Sequence, residues 1–167
     1  MTRIRPIEPP DREAIRALVA GTRAFKPFEV DVAMELVEVA LTQEGQTDYH
    51  PYVMVEDDGT IVSYACFGKN AMTKATYDLY WIATRADRMG KGYGRAMVSF
   101  VVGEVRREGG RLLVIETSSQ ESYGTTREFY LKIGCTLAAT LPDYYDEGDD
   151  KLIYLLPVRG TPEPGRS

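Results

Sequence analysis

Met89-Gly90-Lys91-Gly92-Tyr93-Gly94-Arg95 sets three alternate glycines between an aromatic, β-branched stretch and an amphipathic one. Glycines carry no Cβ, so successive backbone amides can converge there. A helix starting just beyond adds free N–H groups and the positive end of its dipole. The chemistry on offer is anion binding on the scale of a pyrophosphate, with Arg88, Lys91 and Arg95 adding charge at the rim. A Walker loop needs Ser or Thr after Gly-Lys, and here Gly92 follows Lys91. The dinucleotide fingerprint fails too, because its third glycine is missing. A plain surface turn is the other reading these residues allow.

A second group of residues can move protons. Tyr130, in Phe129-Tyr130, is a phenol that stays protonated at neutral pH, with an ordinary pKa of ~10. It can donate to a leaving group, or simply pack between helix and sheet. Glu116 ends an apolar stretch, Leu112–Thr117, and is the best-placed general base. It also reads as a paired structural carboxylate. Asp78 and Tyr80 are its rivals, polar residues on a stretch that should be a central strand, facing a pocket rather than core. Two acidic, aromatic segments, Phe28–Asp31 and Asp143–Glu147 with Tyr145, suit a cationic amine. Each also reads as a solvated surface run. The lone His50 sits in a loop. Cys135 reads as a small buried residue without a histidine near it in sequence.

These groups need elements to position them. Ile4 and Ile7 mark an edge-like first strand, and Pro9-Pro10-Asp11 starts a helix with Asp11 capping the amides beyond it. Phe28–Leu41 is a second amphipathic helix. Tyr52–Glu56 and Ile61–Phe67 form a hairpin through Asp58-Gly59. Tyr77–Thr84 is a strand with Tyr77, Leu79, Trp81 and Ala83 on one face and Asp78, Tyr80 and Ile82 on the other. Arg95–Glu108 is a long helix closed by Gly109-Gly110. Thr125–Glu128 has the capping-box pattern for a short helix ending at Gly134. Thr136–Leu141 and Lys151–Leu156 are the last strands. The order β-α-α-β-β-β-α-β-α-β-β predicts an α/β (α+β) domain over 1–159, with Gly160–Ser167 a disordered tail. Its sheet is mixed, with one right-handed parallel crossover.

The ordered set resembles the GNAT superfamily of N-acetyltransferases. The glycine turn resembles its motif A, Gln/Arg-x-x-Gly-x-Gly/Ala, with Gly92 and Gly94 at the small positions. Met89 falls on the motif's first position, and Arg88 stands one residue early. The resemblance implies a mostly antiparallel sheet of about seven strands with about four helices. It implies acetyl-CoA as co-substrate, its pyrophosphate on the amides of Arg88, Met89, Gly90, Lys91, Gly92, Tyr93, Gly94 and Arg95. The strand before the turn splays in this family, so the backbone of Trp81, Ile82 and Ala83 would bind the pantetheine arm and polarise the thioester carbonyl. Thr126–Cys135 resembles motif B, which makes Tyr130 the acid for the departing thiolate. The family's asparagine seven residues before that tyrosine is Tyr123 here, leaving Thr125 or Thr126 as substitutes. Phe28, Asp78, Tyr80, Glu116 and Tyr145 are the expected acceptor contacts.

The composition agrees with a globular domain: 44% hydrophobic, 27% charged, net charge −5. No long basic run favours nucleic acid, no apolar run spans a membrane, and two cysteines with one histidine make no metal site. The expectation is a cytoplasmic enzyme acting on a small-molecule or peptide amine without a metal; a homodimer stays open. A non-catalytic acyl-CoA sensor on the same fold is the alternative.

Overall fold

Strand-forming Val, Ile, Tyr and Phe are dense in the inner runs of the chain, and the computed structural model, which describes residues 1–158, has seven strands. They are β1 (Thr2–Pro6), β2 (His50–Glu56), β3 (Ile61–Lys69), β4 (Thr76–Thr84), β5 (Leu112–Ser118), β6 (Thr136–Asp146) and β7 (Asp149–Pro157). Four helices lie between them: α1 (Arg12–Gly21), α2 (Pro27–Thr42), α3 (Tyr93–Arg107) and α4 (Gly124–Lys132). One sheet results, in the order β1-β2-β3-β4-β5-β7-β6. Only β4 and β5 pair in parallel, across the α3 crossover; every other pair is antiparallel. The mixed, mostly antiparallel α/β architecture agrees with the sequence reading. The predicted tail, Gly160–Ser167, lies outside the described residues.

Each face of the sheet has its own core. On one face, Met97, Val101 and Val105 of α3 and Tyr130 of α4 pack on Tyr77, Leu79, Leu113 and Ile115. On the other, Ile15, Val19, Val30 and Val37 of α1 and α2 cover Val53, Val55, Tyr64 and Cys66. Each fully buried side chain of this size contributes about 1.5–3 kcal/mol, so both helical layers are firmly seated.

Several local expectations need correction. Strict alternation along β4 fails. The β3–β4 register slips between Cys66↔Trp81 and Phe67↔Leu79, so Tyr80 is an extra residue, a β-bulge. A bulge reverses the inside–outside phase of the residues beyond it. Tyr77 and Leu79 therefore face the α3 core with Ile82, whereas Trp81 and Ala83 face the α1–α2 core. Asp11 does not cap the amides after it; its carboxylate accepts from the Glu8 amide at 2.7 Å and from both ends of the Arg5 guanidinium. Thr125 does not cap α4 either. A 3-10 turn over Glu121–Tyr123 runs straight into Gly124, and the Gly124 amide bonds the Glu121 carbonyl instead. The acidic Asp143–Asp146 run is strand rather than loop, kinked at Asp143 where φ is 52°.

Candidate active site

The parallel pairing of β4 with β5 runs from Thr76↔Leu112 to Leu79↔Ile115 and stops. Beyond that point β4 stays with β3 and β5 stays with β7, so the sheet forks. The Arg85 amide donates to the Val62 carbonyl of β3 at 2.9 Å. Amides alternate along an extended strand, so Trp81 and Ala83 also point towards β3, and the Ile82 amide points into the fork. A strand edge exposed inside a sheet offers a row of hydrogen bonds to an extended ligand.

The glycine turn follows the end of β4, beyond the point where β4 and β5 part. Gly90 and Gly92 adopt φ of 76° and 84°, a left-handed conformation costly for residues with a Cβ, and Gly92 is the N-cap of α3. Gly94 lies in the first turn of α3, where a Cβ would sit 3.3 Å from the Phe129 ring and 3.5 Å from Thr84 Oγ1. The missing side chain lets α3 start against α4. The free amides of this start face solvent with the positive end of the helix dipole. Arg88 is turned elsewhere: its guanidinium bonds Glu56 at 3.2 Å and Asp87 at 3.0 Å. The Tyr93 hydroxyl donates to Glu56 at 2.9 Å. Arg88 and Tyr93 thus hold the Glu56 carboxyl below the usual carboxylate range and tether the turn to β2. Arg95 reaches the Lys132 carbonyl at 3.3 Å, and Met89 and Lys91 are exposed.

Where the fork opens there is a cleft of about 690 Å³. Trp81 and Ile82 of β4, Thr126 and Tyr130 of α4, and Phe28 of α2 line it, together with Asp78, Tyr80, Glu116 and Tyr145. The residues of the glycine turn and Ala83 do not line it; Ala83 is buried in the α1–α2 core. His50 is away from it, stacked on Phe67 at 5.3 Å.

Tyr130 is 5% exposed, and burial raises its hydroxyl well above the usual phenol range. That hydroxyl opens on the cleft and has no hydrogen-bond partner among the described residues. Glu116 is ion-paired to Lys151 Nζ at 2.6 Å. Burial raises the Asp78 carboxyl; the Asn70 amide at 3.3 Å draws it back, and the charge of Glu116 adds to the rise. Burial pushes the Tyr80 hydroxyl up to about 12. The same effect puts the Cys135 thiol at about 11, which removes it as a nucleophile at neutral pH.

Four cleft features were not read from the sequence as part of a site. Phe25 lies between Trp81 at 4.9 Å and Tyr123 at 5.9 Å, edge to face. Tyr123 donates to Glu29 at 2.5 Å, across the cleft. Asn70 orients Asp78, and Lys151 occupies Glu116. Tyr123 carried a signal, its position seven residues before Tyr130. Phe25 and Lys151 meet their partners only through long-range packing, and Asn70, eight residues before Asp78, carried no distinguishing mark. Among the described residues no group of His, Cys, Asp and Glu is placed to hold a metal, and no helix is long and apolar enough to cross a membrane.

Residues 19–135 match the family model of the acetyltransferase (GNAT) family, and the chain belongs to that family. A GNAT-family protein from Desulfovibrio desulfuricans is similar in structure, with TM-score 0.90 and 42% identity over 95% of this chain and 100% of the other. The ribosomal-protein-S18-alanine N-acetyltransferase of Escherichia coli shares the fold at TM-score 0.74 and 20% identity, covering 100% of both chains. A Salmonella typhimurium protein solved with acetyl-CoA shares it at TM-score 0.72 and 20% identity, over 100% of this chain and 99% of that one. No curated protein matches the sequence.

Proposed function

We propose that this chain transfers the acetyl group of acetyl-CoA to a primary amine, by direct attack with both substrates bound. The observation that carries the reading is the forked sheet: the Ile82 amide and the unpartnered Tyr130 hydroxyl meet the same opening. Family membership supports acetyl transfer, and the fold-mate solved with acetyl-CoA supports the donor. The residues present fit that donor. The free start of α3 after Gly92 suits a pyrophosphate, and the open β4 edge suits an amide-bearing arm.

Acetyl-CoA supplies an acyl thioester. The Ile82 amide is the donor for the carbonyl oxygen as negative charge builds on it. Asp78 takes the proton from the incoming ammonium, and the freed amine attacks the carbonyl carbon. As the carbon–sulfur bond breaks, Tyr130 gives its proton to the sulfur, and the proton from the amine restores the phenol through solvent. Glu116 shapes the acceptor wall while Lys151 holds it. In this reading Arg88 braces the turn through Glu56, and backbone amides do the anion binding.

The test is thiol release from acetyl-CoA with an amine panel, beside a titration of acetyl-CoA followed by fluorescence of Trp81, the only tryptophan. Tyr130→Phe should lower kcat about 10²- to 10⁴-fold, the range of a general acid, with acetyl-CoA affinity kept within about twofold. Full turnover in that variant removes Tyr130 as the acid. Saturable binding without thiol release across the panel would leave a sensor in place of the enzyme.

A further inference from the structure

The cleft holds more negative charge than one acceptor amine can answer. Five carboxylates line it, those of Glu29, Asp78, Glu116, Asp146 and Asp149. Among the described residues only Glu116 is ion-paired, to Lys151. The other four have neutral partners: the Tyr123 hydroxyl and the Lys26 backbone amide for Glu29, the Asn70 amide for Asp78, the Ser118 hydroxyl for Asp149 and the Glu147 amide for Asp146. A neutral donor orients a carboxylate and leaves its charge in place. Lys26 is the one cation on the lining, and it is exposed without an ion pair among the described residues.

Behind the lining, Glu116 already holds one alkylammonium. Lys151 Nζ sits 2.6 Å from Glu116 and 4.1 Å from the centre of the Tyr144 ring. Carboxylate and aromatic face together are what binds a cation out of bulk water. Phe28, Tyr80 and Tyr145 line the same cleft as the four carboxylates that have no ion pair. Tyr130 also lines this space: its side chain is only 5% exposed and its hydroxyl has no hydrogen-bond partner among the described residues, so the cleft has a polar group left for a ligand. Its volume, about 690 Å³, is that of a small-molecule site.

We infer that the acceptor is a small dicationic amine. One amino group reacts beside Asp78 on β4. The second stays protonated and is held between Glu29 of α2 and Asp146 of β6. This rests on the acyltransferase reading above and names its substrate class.

Diaminopentane, pentylamine and 5-aminopentanoate share a five-carbon chain with one terminal amine and differ at the far end, which is cationic, neutral or anionic. Each is titrated against the protein, with and without saturating coenzyme A, and followed by Trp81 fluorescence and calorimetry. Diaminopentane should bind at least about tenfold more tightly than pentylamine, one charge-assisted contact's worth. Aminopentanoate should bind most weakly of the three, and the diamine's advantage should shrink as salt rises. Glu29→Gln and the exposed Asp146→Asn should each reduce the diamine-to-monoamine ratio; Asp146→Asn guards against a folding defect at Glu29. Equal binding of the three, or preference for a lysine-initiated peptide over the diamine, overturns the inference. Thiol release from acetyl-CoA separates the two readings. Tight diamine binding without release keeps the inference and sinks the transferase. Release at the same kcat/KM with diaminopentane and pentylamine does the reverse.

Discussion

Asp78 and Glu116 stand on adjoining strands of one cleft and differ in their company. Glu116 is neutralised by Lys151, whereas Asp78 has only the Asn70 amide and is raised by its own burial. A carboxylate raised towards neutrality holds a proton better, which is what a base in this position needs. Asp78→Asn should therefore lower kcat about a hundredfold and remove the acidic limb of the pH–rate profile. Glu116→Gln should keep that limb. Stability moves the opposite way. The folded value of Asp78 lies above its ordinary 3.8, so its favourable contribution is complete below 3.8 and is lost as pH rises through the folded value. Asp78→Asn should raise Tm at pH 7 while it cuts the rate. Asp11 has the reverse sign. Its hydrogen bond from Arg5 lowers its value, so its contribution is present above 3.8 and lost as pH falls through the folded value. Asp11→Asn should lower Tm at pH 7, and the gap should close in acid; a pH series of melting curves tests both. Both cleft carboxylates were legible as polar groups on strands. Their different partners were not, because Lys151 reaches Glu116 only through the β5–β7 pairing.

The glycine turn and the β4 bulge show which elements a sequence announces. Alternate glycines before an amphipathic run mark a strand–turn–helix junction, and φ at Gly90 and Gly92 is what that spacing requires. The bulge at Tyr80 has no such mark, because Asp78-Leu79-Tyr80-Trp81 reads as unbroken alternation. It arises where β3 and β4 part company in register, beside Gly68, which pairs with Asp78. A Cβ at Gly68 would lie 1.9 Å from the Asp48 carbonyl oxygen and 3.1 Å from the Tyr80 ring. Backbone cannot yield there as a long side chain can. Gly68→Ala should cost about 1–3 kcal/mol or more, read as a fall in the urea midpoint. Gly92→Ala should cost about 1–2 kcal/mol through its left-handed φ and should also weaken acetyl-CoA binding. The caps of α1 and α4 were misread for one reason. A cap is a competition for hydrogen-bond partners: the Arg5 guanidinium donates to the Asp11 carboxylate, and the Glu121 carbonyl accepts from the Gly124 amide, both from outside the motif.

At the scale of the molecule, two helical layers clamp a sheet whose halves diverge, and something must hold the open end. The sequence order of strand, glycine turn, helix, strand and tyrosine helix made this topology legible. The fork's far brace was not, because it joins residues 94 apart. The Tyr123 hydroxyl bridges from the approach to α4 across to Glu29 at the start of α2, with Phe25 wedged between Tyr123 and Trp81. Burial and the Glu29 carboxylate both raise the Tyr123 hydroxyl, so it stays protonated and donating through neutral pH. A hydrogen bond to a charged acceptor contributes about 1.5–3 kcal/mol when it is protected from water. This one is partly exposed, so Tyr123→Phe should fall at or below the lower end, a Tm loss of about 2–4 °C in a chain of this size. If the bridge also holds the α1–α2 connection over the cleft, the variant should show faster proteolysis between Thr22 and Lys26. Saturating acetyl-CoA should slow it again, since a ligand bound only to the closed form shifts that opening by mass action. Tyr123→Phe keeps the aromatic packing, so an unchanged Tm and an unchanged cleavage rate would assign the closure to Phe25 and Trp81 and leave the hydroxyl without a structural task.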